Sequence, residues 1–317
     1  MSLGPHLKTP AWLPTFSRLS GLAWSAKVAL AAGGLPSIAL YFKGGLGDHV
    51  MCSAVARELR KRGTKTIWQL TPFADVFGGN PDVVAVPADF RLQRLCGMLR
   101  IPCVDLEYPT PPPRHFIVLM CAAAGVRGSV SLCPRIYLTD SEKREGKVTT
   151  RTQIAIQTSS LAARYPMLNK NWPHERFQIV ANTLSAEFDF VQIGASSDPK
   201  LDGALDLRGK TTVRQSASIL SQSRLFIGLA SGVMHLARAV ECRSVIVYGG
   251  REDPAKSGYS ANDNLYWNGP CAPCWQRNDC DYDRRCMQDI VPENVVAAAR
   301  RQADLFGAPL PVAEAVI

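Results

Sequence analysis

Short apolar runs alternate with amphipathic stretches along most of this chain. Residues 38–42 form a continuous apolar run and read as a buried strand, and residues 50–60 carry apolar positions at helical spacing. Strands are predicted at 66–70, at 83–86 after the turn Asn80-Pro81-Asp82, and at 104–108. The proline-rich stretch 109–113 breaks the pattern, which resumes as a helix at 116–124 and stops at Gly125. After a polar, charged stretch at 139–152 the alternation restarts. Strands are predicted at 153–157, 188–193, 225–228 and 244–248, with helices at 175–184, 213–221 and 233–240 between them. A closing helix at 292–303 has Pro292 in its first turn, where the missing N–H costs nothing. Such alternation predicts parallel sheets covered by helices. With 139–152 as the linker, the chain divides into a leader (1–37), a first domain (38–150) and a second domain (151–317). A length of 317 residues allows each domain its own core.

The leader reads in three ways. Residues 11–34 are apolar, but Arg18 and Lys27 interrupt them, so they form neither a membrane span nor a signal peptide. Phe16, Leu19, Leu22, Ala23 and Ala26 lie at helical spacing, with Trp12 and Trp24 nearby. They fit an interfacial helix resting on a membrane, a helix packed on the first domain, or a loose leader. The formal charge of +9 suits phosphorylated substrates or an anionic membrane surface. Nucleic acid is not an expected partner: no recognition motif is present, and the Lys and Arg residues are scattered.

Candidate chemistry sits at the strand-to-helix turns. The turn Ala230-Ser231-Gly232 between strand 225–228 and helix 233–240 offers backbone N–H groups and a helix N-terminus, a natural phosphate site. His235 falls in the first turn of that helix, where it either packs or donates to a phosphate oxygen. Arg238, one turn on, reads as a surface charge. The segment Gly44-Gly45-Leu46-Gly47-Asp48 repeats the plan in the first domain. Asp48 is an N-cap or a base for an attacking hydroxyl, and the glycines allow close approach of a ligand. Lys170, in Asn169-Lys170-Asn171-Trp172-Pro173, is a solvated loop residue or an ammonium for a leaving phosphate.

Six of the ten cysteines stand singly in apolar surroundings and read as small buried hydrophobes. The other four, Cys271, Cys274, Cys280 and Cys286, crowd into sixteen residues. They fit a structural zinc or iron site, or else reduced structural thiols or a redox-labile pair; with no secretory signal, a disulfide framework is not expected. Asp279, Asp281 and Asp283 read as a solvated face.

Four segments in this order resemble glycosyltransferase family 9, the bacterial heptosyltransferase family of lipopolysaccharide assembly. They are GGLGDHVMCSAVARELRKRG, NKNWPHERF, DLRGKTTVRQSASILSQSRLFIG followed by SGVMHLARAV, and CAPCWQRNDC with the later Pro292-Glu293-Asn294-Val295. The likeness covers roughly residues 38–303. It implies an α/β GT-B architecture, two Rossmann-like domains with parallel sheets facing an interdomain cleft, the first binding acceptor and the second nucleotide-sugar. It also implies an inverting transfer of a sugar, often heptose from ADP-heptose, with no metal required for the chemistry. By motif, Asp48 resembles the general base and Lys170 the lysine on the donor phosphate. Ser231, Gly232 and His235 resemble the donor-phosphate turn, with Gly45, Leu46 and Gly47 lining the donor site. The implied acceptor is a glycan or glycolipid of the cell envelope, reached from the cytoplasmic side with peripheral contact to the inner membrane. Some relatives modify proteins and carry iron on clustered cysteines. One departure stands out: the family usually has an acid just before the Ser/Thr-Gly pair, and here that position is Ala230. Ala230 keeps a silent nucleotide-sugar-binding protein as a rival expectation, and a nucleotide-sugar epimerase or hydrolase on the same two-domain plan is another.

Overall fold

A computed structural model describes residues 21–317. The described residues begin with α1 (Gly21–Ala31), then run β1 (Ile38–Tyr41), α2 (Leu46–Lys61), β2 (Ile67–Thr71), β3 (Val84–Pro87), α3 (Phe90–Met98), β4 (Cys103–Asp105), α4 (Phe116–Ala123) and β5 (Ser129–Ser131). After α5 (Asp140–Glu145) come β6 (Gln153–Ile156), α6 (His174–Leu184), β7 (Asp189–Gln192), β8 (Leu205–Asp206), α7 (Val213–Ser221) and β9 (Phe226–Leu229). The chain ends with α8 (Gly232–Ala239), β10 (Ser244–Gly249), α9 (Pro254–Ser257), β11 (Asn262–Tyr266), α10 (Arg285–Gln288), α11 (Pro292–Asp304) and β12 (Glu314–Val316).

Two parallel sheets organise these elements. The first has the order β3-β2-β1-β4 and the second β11-β10-β9-β6-β7-β8. Read from the other edge, the second is the doubly wound order in which the chain starts centrally, winds to one side, then returns and winds to the other. Such a sheet has a crevice at the carboxyl ends of the two strands where the winding reverses, β6 and β9. In the first sheet the corresponding pair is β1 and β4. Successive side chains of a strand point to opposite faces. Thus Leu40 and Ile67 join one core cluster while Ala39 and Trp68 join another, with Trp24 and Val28 of α1 and Leu92 and Cys96 of α3. The far face of the second sheet is covered by α6 and α11 through Phe177, Val180, Leu184, Val295 and Ala299. Between the sheets a single cluster joins α2 and α4 to α7 and α8, through Met51, Val55, Ile117, Leu220, Met234 and Leu236. Finally, β12 pairs antiparallel with β5, bringing the chain's last residues back to the first half.

Three expectations are corrected. The polar stretch 139–152 is not a plain linker, because α5 forms within it. Thr139 and Glu142 make a reciprocal capping box, and Glu142 pairs with Arg214 of α7 at 2.8 Å. The segment reads as a linker because the helix buries none of its own residues. Arg238 is not a surface charge: it is 1% exposed, and its guanidinium donates to the Pro311 carbonyl at 3.3 Å. In the leader, Trp12, Phe16 and Leu19 lie outside the described residues. From Gly21 onward the helix packs on the first sheet, but through Trp24, Ser25, Val28 and Ala29, leaving Leu22 and Ala26 exposed.

Candidate active site

Asp48 stands in the first turn of α2, directly after the β1 strand end. Its Oδ2 accepts the Gly45 N–H at 2.8 Å: the N-cap is Gly45, and Asp48 bonds back to it from the third helical position instead of being the N-cap itself. Its other oxygen is used as well: the Tyr108 hydroxyl, just beyond the end of β4, donates to Oδ1 at 2.5 Å. The acid and its partner thus occupy the two sides of the first sheet's crevice. Tyr108 is fixed by stacking on Phe116, with ring centroids 4.2 Å apart. Burial pushes the Asp48 carboxyl above the ordinary carboxylate range; the Tyr108 and Gly45 hydrogen bonds and the Lys170 charge pull the other way.

The second sheet's crevice holds the other candidates. Ser231 caps α8, its hydroxyl accepting from Val233 N–H at 3.3 Å and donating to Gln157 Oε1 at 2.7 Å. Gln157 follows β6 and Ser231 follows β9, so this bond spans the reversal point. Nδ1 of His235 lies 2.6 Å from the Tyr259 hydroxyl, and burial lowers the imidazole to about 3. Lys170, on a short 3-10 turn, donates to the Ala230 carbonyl at 3.1 Å and pairs with Glu252. Burial lowers the Lys170 ammonium, and the Glu252 carboxylate opposes that shift. Glu252 is itself buried, 2.5 Å from the Arg251 guanidinium and accepting the Ser257 hydroxyl at 3.1 Å.

These two groups face each other across one cavity of about 730 Å³. Gly45, Leu46, Gly47, Asp48, Lys170, Ser231, Gly232 and His235 all line it, as do Tyr108, Gln157, Arg164 and Glu252. The two helix starts almost touch: a Cβ on Gly232 would lie 3.2 Å from the Gly47 nitrogen. That close approach requires glycine on both sides and explains a Gly at each turn. Tyr108, Gln157, Glu252 and Tyr259 were not singled out from sequence, because each acts through a partner far along the chain.

The clustered cysteines stand apart from this group. The Cys280 sulfur accepts the Arg284 N–H at 3.3 Å, and the Cys286 thiol is pushed up by burial and by its neighbours Cys274, Cys280 and Cys271. Among the described residues, however, no three His, Cys, Asp or Glu side chains form a group that could hold a metal ion. The four thiols lie near one another without being gathered as a ligand set. Asp279, Asp281 and Asp283 are exposed, as a solvated face requires.

Comparison with known proteins adds to this geometry. Residues 134–282 match the model of glycosyltransferase family 9 (heptosyltransferase). A curated relative, lipooligosaccharide heptosyltransferase 2 of Campylobacter jejuni, is 26% identical over 147 residues; the match covers 41% of this chain and 46% of that protein. The chain therefore spans about half the length of the curated relative it matches. Among solved structures, the ADP-heptose lipopolysaccharide heptosyltransferase II of E. coli aligns over 86% of this chain and 100% of its own, at 15% identity and a TM-score of 0.66. The iron-containing dodecameric glycosyltransferase TibC of enterotoxigenic E. coli aligns over 85% and 76%, at 17% identity and a TM-score of 0.67. A family 9 glycosyltransferase of Veillonella parvula aligns over 84% and 96%, at 15% identity and a TM-score of 0.63. The expected α/β GT-B architecture is thus the one observed, and the segment 134–282 carries the signature of glycosyltransferase family 9, the family of the heptosyltransferases.

Proposed function

We propose that this chain is an inverting glycosyltransferase that moves a sugar, heptose from ADP-heptose in the first instance, onto a cell-envelope glycan such as lipopolysaccharide. Its place is the cytoplasmic side of the inner membrane, in peripheral contact with it. The observation that carries this reading is the convergence of Asp48 with Lys170, Ser231, Gly232 and His235 on one cavity, each group rising from the crevice of its own sheet.

The proposed step is a single displacement. Asp48 takes the proton of the acceptor hydroxyl as that oxygen attacks the anomeric carbon. A carboxyl raised by burial is a stronger base than an exposed one, and Tyr108 and Gly45 hold it in place. The bond from the anomeric carbon to the diphosphate oxygen breaks, and charge collects on the departing nucleoside diphosphate. Lys170 and the start of α8 receive that charge from the opposite wall. His235 acts as a neutral donor in the tautomer this step requires: Nδ1 accepts from the Tyr259 hydroxyl 2.6 Å away, and the ring proton sits on Nε2, toward Gly47 and the cavity. No step uses a metal bound at the cysteines. The absence of an acid at position 230 leaves Glu252, held beside Lys170, as the buried carboxylate next to the donor turn.

Calorimetry of the purified protein against ADP-, GDP-, UDP- and dTDP-sugars, with ADP-heptose included, tests the donor. Saturable binding of ADP-heptose supports the heptosyl reading. Preference for another nucleotide-sugar keeps the transferase and replaces the sugar. Binding of none of them refutes the proposal. With the donor in hand, Asp48→Asn should abolish transfer and leave donor binding largely intact.

A further inference from the structure

The outer face of the first sheet carries an apolar and basic surface. α1 and α3 lead into β1 and β4, which are adjacent and parallel, so the two helices run side by side with matched ends. Their starts are in contact: Arg91 of α3 lies over the Trp24 ring at 4.0 Å. At the same end Leu22 and Phe90 are exposed, Phe90 at 71%. At the other end Leu30, Leu35, Met98 and Leu99 are exposed, Leu30 at 82%. Four large apolar side chains on the two helices, with Leu35 in the loop after α1 and Leu99 at the end of α3, exceed the scattered exposure normal for a protein surface.

The charge on this layer has one sign. Neither α1 nor α3 contains an acidic residue. The α3 cap Asp89 is neutralised by Arg91 at 2.7 Å. Lys27, Arg94 and Arg100 are exposed, and none pairs with a carboxylate among the described residues. The sequence entering α1 continues the theme, since the first acidic residue of the chain is Asp48. The starts of α1 and α3 lie at the carboxyl edge of the sheet, the edge on which Asp48 and Tyr108 meet the cavity.

We propose that the α1–α3 face docks on an anionic lipid bilayer. Leu22, Leu30, Phe90 and Met98 enter the headgroup boundary, and Lys27, Arg94 and Arg100 meet lipid phosphates. This sharpens the peripheral placement proposed above and depends on it. It assigns the contact to a built surface of the first domain and leaves the carboxyl edge of the acceptor half beside the bilayer surface, open to one side. A second copy of the chain fits the apolar groups but not a face whose unpaired charges are all positive.

The test is co-sedimentation of the full-length protein with phosphatidylethanolamine vesicles, with and without phosphatidylglycerol and without any nucleotide-sugar. The protein should bind only the anionic vesicles, and less as salt rises. Leu30→Glu and Phe90→Glu should each weaken partition at least tenfold. Arg94→Glu and Arg100→Glu should each weaken it about fivefold or more, the factor expected for one cation near a charged surface. These side chains are exposed, so unchanged melting temperatures should accompany the losses. Failure of the wild type to bind anionic vesicles overturns the proposal. So do face variants that bind like wild type, the result expected if residues 1–20 carry the contact alone. A change of oligomeric state in Leu30→Glu with unchanged vesicle binding marks a protein interface and also overturns it. Donor calorimetry on the same variants separates this failure from failure of the transferase reading, because no residue of the face lines the cavity.

Discussion

Replacing Gly47 with alanine tests the contact on which the whole site depends. Gly47 lies in the first turn of α2, where the start of that helix meets the start of α8. A methyl group there would sit 2.7 Å from His235 Cδ2 and 3.0 Å from the Gly232 Cα, well inside the 3.4 Å at which ordinary contact begins. Neither neighbour yields easily. One is backbone, and the other is an imidazole held at 2.6 Å by Tyr259. Overpacking of this kind costs about 1–3 kcal/mol. The opposing gain, alanine over glycine in a helix, is about 0.5–1 kcal/mol. The net expectation is a loss of about 1 kcal/mol, read as a lower urea midpoint. Gly97 is the control: it lies in α3, has nothing within 4 Å of a built Cβ, and should gain about 0.5 kcal/mol as alanine. Donor calorimetry supplies a second reading, because moving the start of α8 displaces the Ser231-Gly232 turn. If Gly47→Ala stabilises the protein as Gly97→Ala does, the two helix starts do not meet, and the cavity described here is wrong.

Three further outcomes follow from the same geometry. Tyr108→Phe keeps the ring on Phe116 but removes a hydrogen bond that favours the Asp48 carboxylate, so the Asp48 titration moves to higher pH; 13C NMR of Asp-labelled protein, assigned with Asp48→Asn, reads the shift, and a fixed or lowered titration refutes the pairing. Glu252→Gln removes the charge that holds the Lys170 ammonium against burial, so Lys170 loses its proton at lower pH and the alkaline limb of donor binding moves down; breaking a buried pair should also cost about 3 kcal/mol or more in urea unfolding. His235, lowered to about 3 by burial, stays neutral from pH 5 to 8, so its ring NMR signals should be flat across that range, and an inflection near 6.5 would contradict its enclosure.

Local patterning made the fold legible where burial follows it. The runs at 38–42, 153–157, 225–228 and 244–248 became strands buried on both faces, because a parallel sheet covered by helices buries every position. The pattern failed where burial is slight. α5 buries none of its own residues, so only its capping box marks it, as Thr139 followed three positions later by Glu142. α3 was missed for a related reason, since Leu92 and Cys96 are its only buried residues and Phe90 and Met98 point outward. Arg238 misled because charge was read as exposure, whereas its guanidinium finds a carbonyl brought back by the chain's last residues.

The site divides along the same line. Asp48, Ser231, Gly232 and His235 could be read because each lies on a strand-to-helix turn, and a parallel sheet gathers such turns at one edge whatever else the chain does. Their partners could not be read, because they come from the strand on the other side of the reversal point or from beyond the sheet. Tyr108 is 60 positions from Asp48, and Gln157 is 74 positions from Ser231. In both sheets the readable residue follows one strand of the central pair and its hydrogen-bond partner follows the other: β1 and β4 for Asp48 and Tyr108, β9 and β6 for Ser231 and Gln157. The topology thus decides which distant residue can reach each turn. Strand order taken with the turn motifs would have limited the search for Tyr108 and Gln157 to the few residues after β4 and β6.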